Sequence, residues 1–493
     1  MGYAISTYHD VDDIYRRLKK LIDEPARPIE RAAMTDYLKR LDDECPKSRA
    51  VVADAKKYIP GGVQHNLAFN YPFPLVIDRS EGAYLYDIDG RRYIDFLQAG
   101  GPTILGGNDP EVRRQVIDML EHVGPSTGLF HEYELALAKE INRHMPAVEM
   151  FRMLGSGTES VLAAIRVARL ATGKKRVIKI GGAYHGWSDQ LVYSLKVPNT
   201  KRYEAHGIPA ACTRYTDEAR PNDLASLERV LARNRLRGGT ACVLIEPLGP
   251  ESGTRPVAKD YNKGVRDLCD KYGALLVFDE VVTAFRVGLG GAQGYFGVKP
   301  DLTTFGKIVA GGYPSAGGLG GRRDLIMLMA AGLETGKKRA YVGGTMAANP
   351  LSAAAGYFTL REIEKRDACA VAGRAGDRLT AGLQKKIADM GLPFVAYNQG
   401  SICHLETVGA MFYELNILQI KRFLAETKAR KHFMEEYGAA YAAEGLVTLA
   451  GSRMYTNAAD TDEVIDDAIE RFGRVFSHIA ETSDDTKEGA RHD

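Results

Sequence analysis

Two groups of opposite charge carry most of the chemical promise of this chain. Asp279 and Glu280 follow the apolar run GALLVF at residues 273–278, which is long enough for a buried strand. Lys307 comes 28 positions after Asp279 (307 minus 279), just past a second candidate strand at 302–305. In an open α/β sheet, ligands collect at the carboxyl ends of strands. A carboxylate and an amine delivered there read as a working pair: the amine can act as nucleophile and proton carrier, and the acid can set the charge of a bound group. The alternative is a strand-end cap and an ordinary surface lysine. A third feature is LGSGTES at 154–160, which opens the helical pattern VLAAIRVARLA. A glycine-rich turn at a helix start offers free backbone N–H groups to an anion, with Ser156 and Thr158 as added hydroxyls, although both are also ordinary helix caps. It is not a nucleotide-binding P-loop, because no Gly-Lys-Ser/Thr follows. Tyr184-His185-Gly186 lies beyond another apolar run, Arg176–Ile180, where an aromatic ring can stack on a flat ligand. Glu246 ends a further run at 242–245.

Something must hold these strand ends together. From about residue 106 to 364 the chain alternates helical patterns with short apolar runs, which predicts a mostly parallel sheet with helices on both faces. Ahead of it, residues 75–96 alternate around Asp89-Gly90, a hairpin signal. Residues 1–48 are polar, with helical periodicity at 11–21 and 34–41, and read as an N-terminal extension packing on the body or on a partner subunit. The 493 residues exceed one simple core, so two domains are expected. Net charge is +2, from 65 basic and 63 acidic residues, and this points to neither nucleic acid nor an anionic membrane as partner. The six cysteines, at 45, 212, 242, 269, 369 and 403, show no metal-ligand spacing and read as reduced thiols. The N-terminus lacks the apolar stretch of a signal peptide, and its match to a myristoylation pattern at Gly2 and Ser6 is short enough to arise by chance. No run reaches membrane-spanning length, and a cytoplasmic location is expected.

The segment DEVVTAFRVGLGGAQGYFGVKPDLTTFGKIVAGGYPSAGGLGGRRD at 279–324 resembles the class III aminotransferases, pyridoxal 5'-phosphate enzymes of fold type I, and within them the glutamate-1-semialdehyde aminomutases. The resemblance runs from about residue 59 to the C-terminal region and is strongest between 154 and 349. It implies an α/β fold: a large cofactor domain at 106–365, and a small α+β domain made of 49–105 and 366–482, followed by a disordered tail at 483–493. It also implies roles. Lys307 would form the internal Schiff base and shuttle the proton; Asp279 would face the pyridine nitrogen; Tyr184 and Val281 would cover the two ring faces. Ser156, Gly157, Thr158 and Thr345 would hold the phosphate, with Thr345 reaching the neighbouring subunit of a homodimer with shared active sites, and Glu246 would support the site floor.

One departure stands out. Where the aminomutases carry an arginine for the substrate carboxylate, this chain has Ala68, and a methyl group cannot replace a bidentate guanidinium. Gln64, His65 and Asn66 are then candidate substrate contacts, and Glu251 adds an acid near the Glu246 loop. The expected reaction is amino-group transfer between a primary amine or amino acid and an oxo acid or aldehyde. The alternatives are an aminomutase, or an ammonia-lyase acting on an amino acid, aminophosphonate or phosphorylated amine. A sensor or scaffold would need a reader domain, and residues 1–48 are too short and too weakly basic to supply one.

Overall fold

The computed structural model describes residues 2–68, 70–195, 198, 206–332, 338–412, 420–449 and 451–480. They fall into two compact units: residues 1–8, 101–104 and 110–370 form one, and residues 9–100, 105–109 and 371–493 the other. The tail expected at 483–493 lies outside the described residues.

The first unit is built on a seven-stranded sheet in the order Met150–Leu154, Gly317–Gly321, Leu302–Gly306, Leu275–Asp279, Thr240–Ile245, Arg176–Ile180, Thr216–Ala219. Gly317–Gly321 runs antiparallel to both of its neighbours, and every other pairing is parallel. The central strands are continuous apolar runs because both faces are covered. On one side helix Gly157–Thr172 buries Val161, Ala164, Ile165, Val167 and Ala168 against Val177, Leu244 and Val277. On the other, helices Leu224–Arg235 and Tyr261–Tyr272 bury Leu227, Leu231, Val265 and Cys269 against Ile178, Val243 and Phe278. Each such aliphatic side chain contributes roughly 1.5–3 kcal/mol. Leu154 and Gly306 both pair with Gly317, so the chain leaves these two strands at one level on either side of it. Ser156 crosses over that point: a Cβ on Gly317 would lie 2.4 Å from the Ser156 carbonyl oxygen, which is why this strand is glycine there.

The second unit holds a four-stranded sheet, in which Ile77–Glu81, Tyr84–Asp87 and Arg92–Asp95 form an antiparallel meander closed by Leu446–Val447, and a three-stranded sheet of Val395–Gln399, Ile402–Glu406 and Arg453–Tyr455. The two helical stretches expected near the N-terminus form as Val11–Asp23 and Arg31–Glu44, followed by Pro46–Ala55. Ile14, Leu18, Leu21, Met34, Tyr37 and Leu41 enter one core with Leu379, Phe394, Tyr437 and Phe472, so these helices are part of the unit's interior. Among the described residues, no helix is long and apolar enough to cross a membrane.

Candidate active site

Five chain segments leave the carboxyl ends of the large sheet's strands, and they bring most of the expected residues to one rim. Asp279 is the last residue of its strand and is buried. Three donors converge on its carboxylate: His185 Nδ1 at 2.6 Å, Thr304 Oγ1 at 2.9 Å and the Val281 N–H at 3.1 Å. Thr304 is also its partner in the neighbouring parallel strand. That strand ends at Gly306, and Lys307 begins the turn that follows, half-buried and with φ of 50°. A left-handed backbone is disfavoured for any residue with a Cβ by about 1–2 kcal/mol, and such strain gathers at functional positions.

Burial holds the His185 imidazole below its ordinary range, with the Asp279 carboxylate acting the other way and the Lys179 ammonium adding to the depression. In its neutral form the ring keeps its proton on Nδ1, where it donates to Asp279. Its buried Nε2 has no hydrogen-bond partner among the described residues, which a bare ring nitrogen tolerates better than an N–H would.

The turn at 155–159 shows what its side chains do. Ser156 caps helix Gly157–Thr172, its Oγ accepting from the Glu159 N–H at 3.2 Å, while Glu159 reaches back to the Gly155 N–H at 2.8 Å. These two bonds use the Ser156 hydroxyl and the Gly155 N–H locally. The N–H groups of Gly157 and Thr158 and the Thr158 hydroxyl remain as the donors suited to an anion at the helix start. Val281 packs against this turn and against the base of the Lys307 turn: an added Cβ would lie 2.9 Å from Val281 Cγ2 at Gly157 and 2.7 Å from Val281 Cγ1 at Gly306. The two glycines thus seat the valine. Gly306→Ala should displace it and cost about 1–3 kcal/mol of stability by overpacking, as measured by denaturant unfolding.

Tyr184 is half-exposed, and its N–H donates to Glu246 Oε1 at 3.0 Å. The same oxygen accepts the Glu251 N–H at 2.8 Å, and the other carboxylate oxygen accepts the Ser252 N–H and, at 3.3 Å, its hydroxyl. Glu251 and Ser252 both have left-handed backbones, with φ of 50° and 53°, and the buried carboxylate fixes that shape. Glu246 therefore ties the Tyr184 loop to the loop after its own strand. Burial first, and then the charge of Asp279, push its carboxyl from 4.5 up to about 8. The folded chain keeps this proton in a range where the unfolded chain releases it. Its contribution is complete below about pH 4.5 and lost by about pH 8. Wild-type stability relative to Glu246→Gln should accordingly fall by on the order of a few kcal/mol as pH rises across that window. A difference in melting temperature that stays flat with pH would refute this.

Two further predicted groups lie on other segments. Thr345 is exposed, within a segment whose Gly344 lies near its own chain's Glu159: a Cβ there would be 3.4 Å from Glu159 Oε2. Gln64, His65 and Asn66 are exposed and belong to the second unit, where His65 Nδ1 accepts the Leu67 N–H at 3.1 Å. No prediction falls on Glu159, although the S-x-x-E spacing marks it as a residue of a helix start. None falls on Lys179, one member of an apolar strand pattern, or on Thr304, which no local pattern marks.

A flat ring carrying a phosphate and a basic nitrogen fits these residues: N–H donors at a helix start, an aromatic and a valine for its faces, a buried acid and an amine. Comparison with known proteins agrees. The family model for aminotransferase class-III matches residues 67–474. A glutamate-1-semialdehyde 2,1-aminomutase from Lachnoclostridium phytofermentans is 37% identical over 378 residues, covering 74% of this chain and 84% of that protein. Among solved structures, an omega-transaminase from Sphaerobacter thermophilus superposes with a TM-score of 0.79 at 26% identity, covering 89% of this chain and 99% of that one. A β-phenylalanine aminotransferase from Variovorax paradoxus gives 0.77 at 27% identity, covering 90% and 97%.

Proposed function

We propose an amino-group transfer carried by Lys307 and Asp279 for this chain, which belongs to the class III aminotransferases and is a pyridoxal 5'-phosphate enzyme of fold type I. The observation that carries this assignment of roles is the buried Asp279 carboxylate, oriented by three donors, one strand away from the Lys307 turn.

When bound, the cofactor supplies an electron sink that makes a hydrogen on the amine-bearing carbon of the substrate acidic. The chain supplies everything else. Asp279 presents a fixed negative charge to the ring nitrogen, with His185 behind it. Gly157 and Thr158 offer N–H groups to the phosphate, while Tyr184 and Val281 limit tilt of the ring. Lys307 Nζ is the base that takes the substrate's proton and returns it. The Thr345 segment completes the phosphate site of a second subunit, so the working form is a homodimer.

The amino donor is a primary amine or amino acid, and the acceptor an oxo acid or aldehyde. Ala68 in place of the aminomutase arginine favours substrates that need no bidentate carboxylate clamp, with Gln64, His65 and Asn66 as polar contacts. The 37% identity to a glutamate-1-semialdehyde aminomutase keeps isomerisation as the second reading. A panel of amines, each added without an acceptor, separates the two. A transaminase ends with the cofactor stably in its amine form, whereas a mutase or ammonia-lyase returns it to the starting spectrum. If no amine changes the cofactor spectrum, the transfer reading fails.

A further inference from the structure

Lys179 is the fourth of five residues of strand Arg176–Ile180 and is fully buried. A buried ammonium has to be matched by acceptors. Its Nζ donates to three carbonyls of the loop that follows its own strand: Ala183 at 3.2 Å, Leu191 at 3.1 Å and Tyr193 at 2.6 Å. It also stands 4.8 Å from the centroid of the Tyr193 ring, within cation–π range. The loop is closed at its base by the Gly182 N–H donating to the Ser194 carbonyl at 2.8 Å. Between those ends it carries Tyr184, His185 and Trp187, of which Trp187 is 74% exposed. The remaining ties of this loop to the sheet include Tyr184 N–H to Glu246 and His185 to Asp279, which belong to the site itself.

We propose that Lys179 is a positioning residue: its ammonium, bound to three carbonyls of the 181–194 loop, fixes the loop that presents Tyr184 and His185 to the cofactor. A lysine suits this place because it is a compact charge with three donors on a flexible stem, and the three carbonyls approach it from separate points along the loop. An apolar residue of equal length would leave those carbonyls unpaired, and the loop would turn them outward to water. The inference rests on the reading of Tyr184 and His185 as cofactor-facing residues.

The chain has a single tryptophan, and it reports on this loop directly. In Lys179→Met, the fluorescence anisotropy of Trp187 should fall and acrylamide quenching should rise, with far-ultraviolet circular dichroism unchanged. Pyridoxal 5'-phosphate should bind about three- to tenfold more weakly, and the visible circular dichroism of the bound cofactor should shrink, since the stacking ring is no longer held. Unchanged anisotropy together with unchanged cofactor affinity would overturn the proposal. Should Lys179→Met not fold, hydrogen exchange on the wild-type protein decides: amides of the described loop residues exchanging as slowly as strand Arg176–Ile180 support the staple, and exchange at the rate of an open loop overturns it. If the wild type bound no pyridoxal 5'-phosphate, the functional reading would fail, while the anisotropy change would still test the staple.

Discussion

Lys307→Ala is expected to yield a folded protein that has lost turnover. The substitution keeps a Cβ, so the left-handed backbone at φ of 50° is no more strained than before, and the half-buried side chain leaves no sealed cavity. What disappears is the amine. Proton transfer by a positioned base is worth roughly 10²–10⁴-fold, and kcat should fall by at least that much. The loss of the covalent tether adds to the defect. Cofactor should still be retained through the helix start and Asp279, but exchangeably, so dialysis should strip it from the variant and not from the wild type. Methylamine in the assay should restore part of the rate, because a free amine can enter the space left by the side chain. Lys307→Arg should behave like the alanine variant: a guanidinium stays protonated and is no nucleophile. Normal turnover by Lys307→Ala would remove Lys307 from its role.

What could be read from the sequence follows from how local each signal is. Asp279 and Lys307 are legible because an apolar run predicts a strand and an ionisable residue at its end is placed by the same pattern. The expected strand at 302–305 forms as Leu302–Gly306, so Lys307 starts the turn as the spacing implies. Ser156 is only half legible. Its position before a helical pattern fits an anion donor and an N-cap equally, and only the 3.2 Å bond from the Glu159 N–H shows that the cap is made. Lys179 is illegible, since in RVIKI it is one member of an apolar strand pattern and nothing marks it for a separate role. Its partners lie 4, 12 and 14 residues on, in a loop whose path no periodicity describes. Val281 lies between these cases. The family resemblance implies it at the site, but its seat between Gly157 and Gly306 joins three distant segments and needs the fold. The charge balance, being nearly zero overall, carries no information about the clustering of Asp279, Glu246 and His185 around one strand end.

Asp279→Asn is the second large effect, and it tests the electrostatics apart from the covalent chemistry. Asparagine has the same shape, so cofactor should still bind and the fold should survive. Two changes follow inside a buried site. First, the negative charge proposed to face the ring nitrogen becomes a neutral amide; removing one member of a buried ion pair costs roughly 3–5 kcal/mol, which as a barrier is about 10²–10⁴-fold in kcat. Second, the carboxylate now accepts from three groups, and an amide can accept only through its oxygen. If the oxygen of the new amide keeps Thr304 and Val281, its NH₂ group faces His185 Nδ1, which must give up its proton. The imidazole then carries its hydrogen on Nε2, a buried atom with no acceptor among the described residues, at a further cost of about 1–3 kcal/mol in stability. His185→Ala in the Asp279→Asn background should therefore lower stability less than it does in the wild type, since the ring has become an unpaired donor. Single-turnover kinetics with one amine would measure the first effect, and a double-mutant cycle in denaturant the second. Equal single-turnover rates for Asp279→Asn and wild type would show that the charge at 279 does not assist the reaction, whatever its place in the fold.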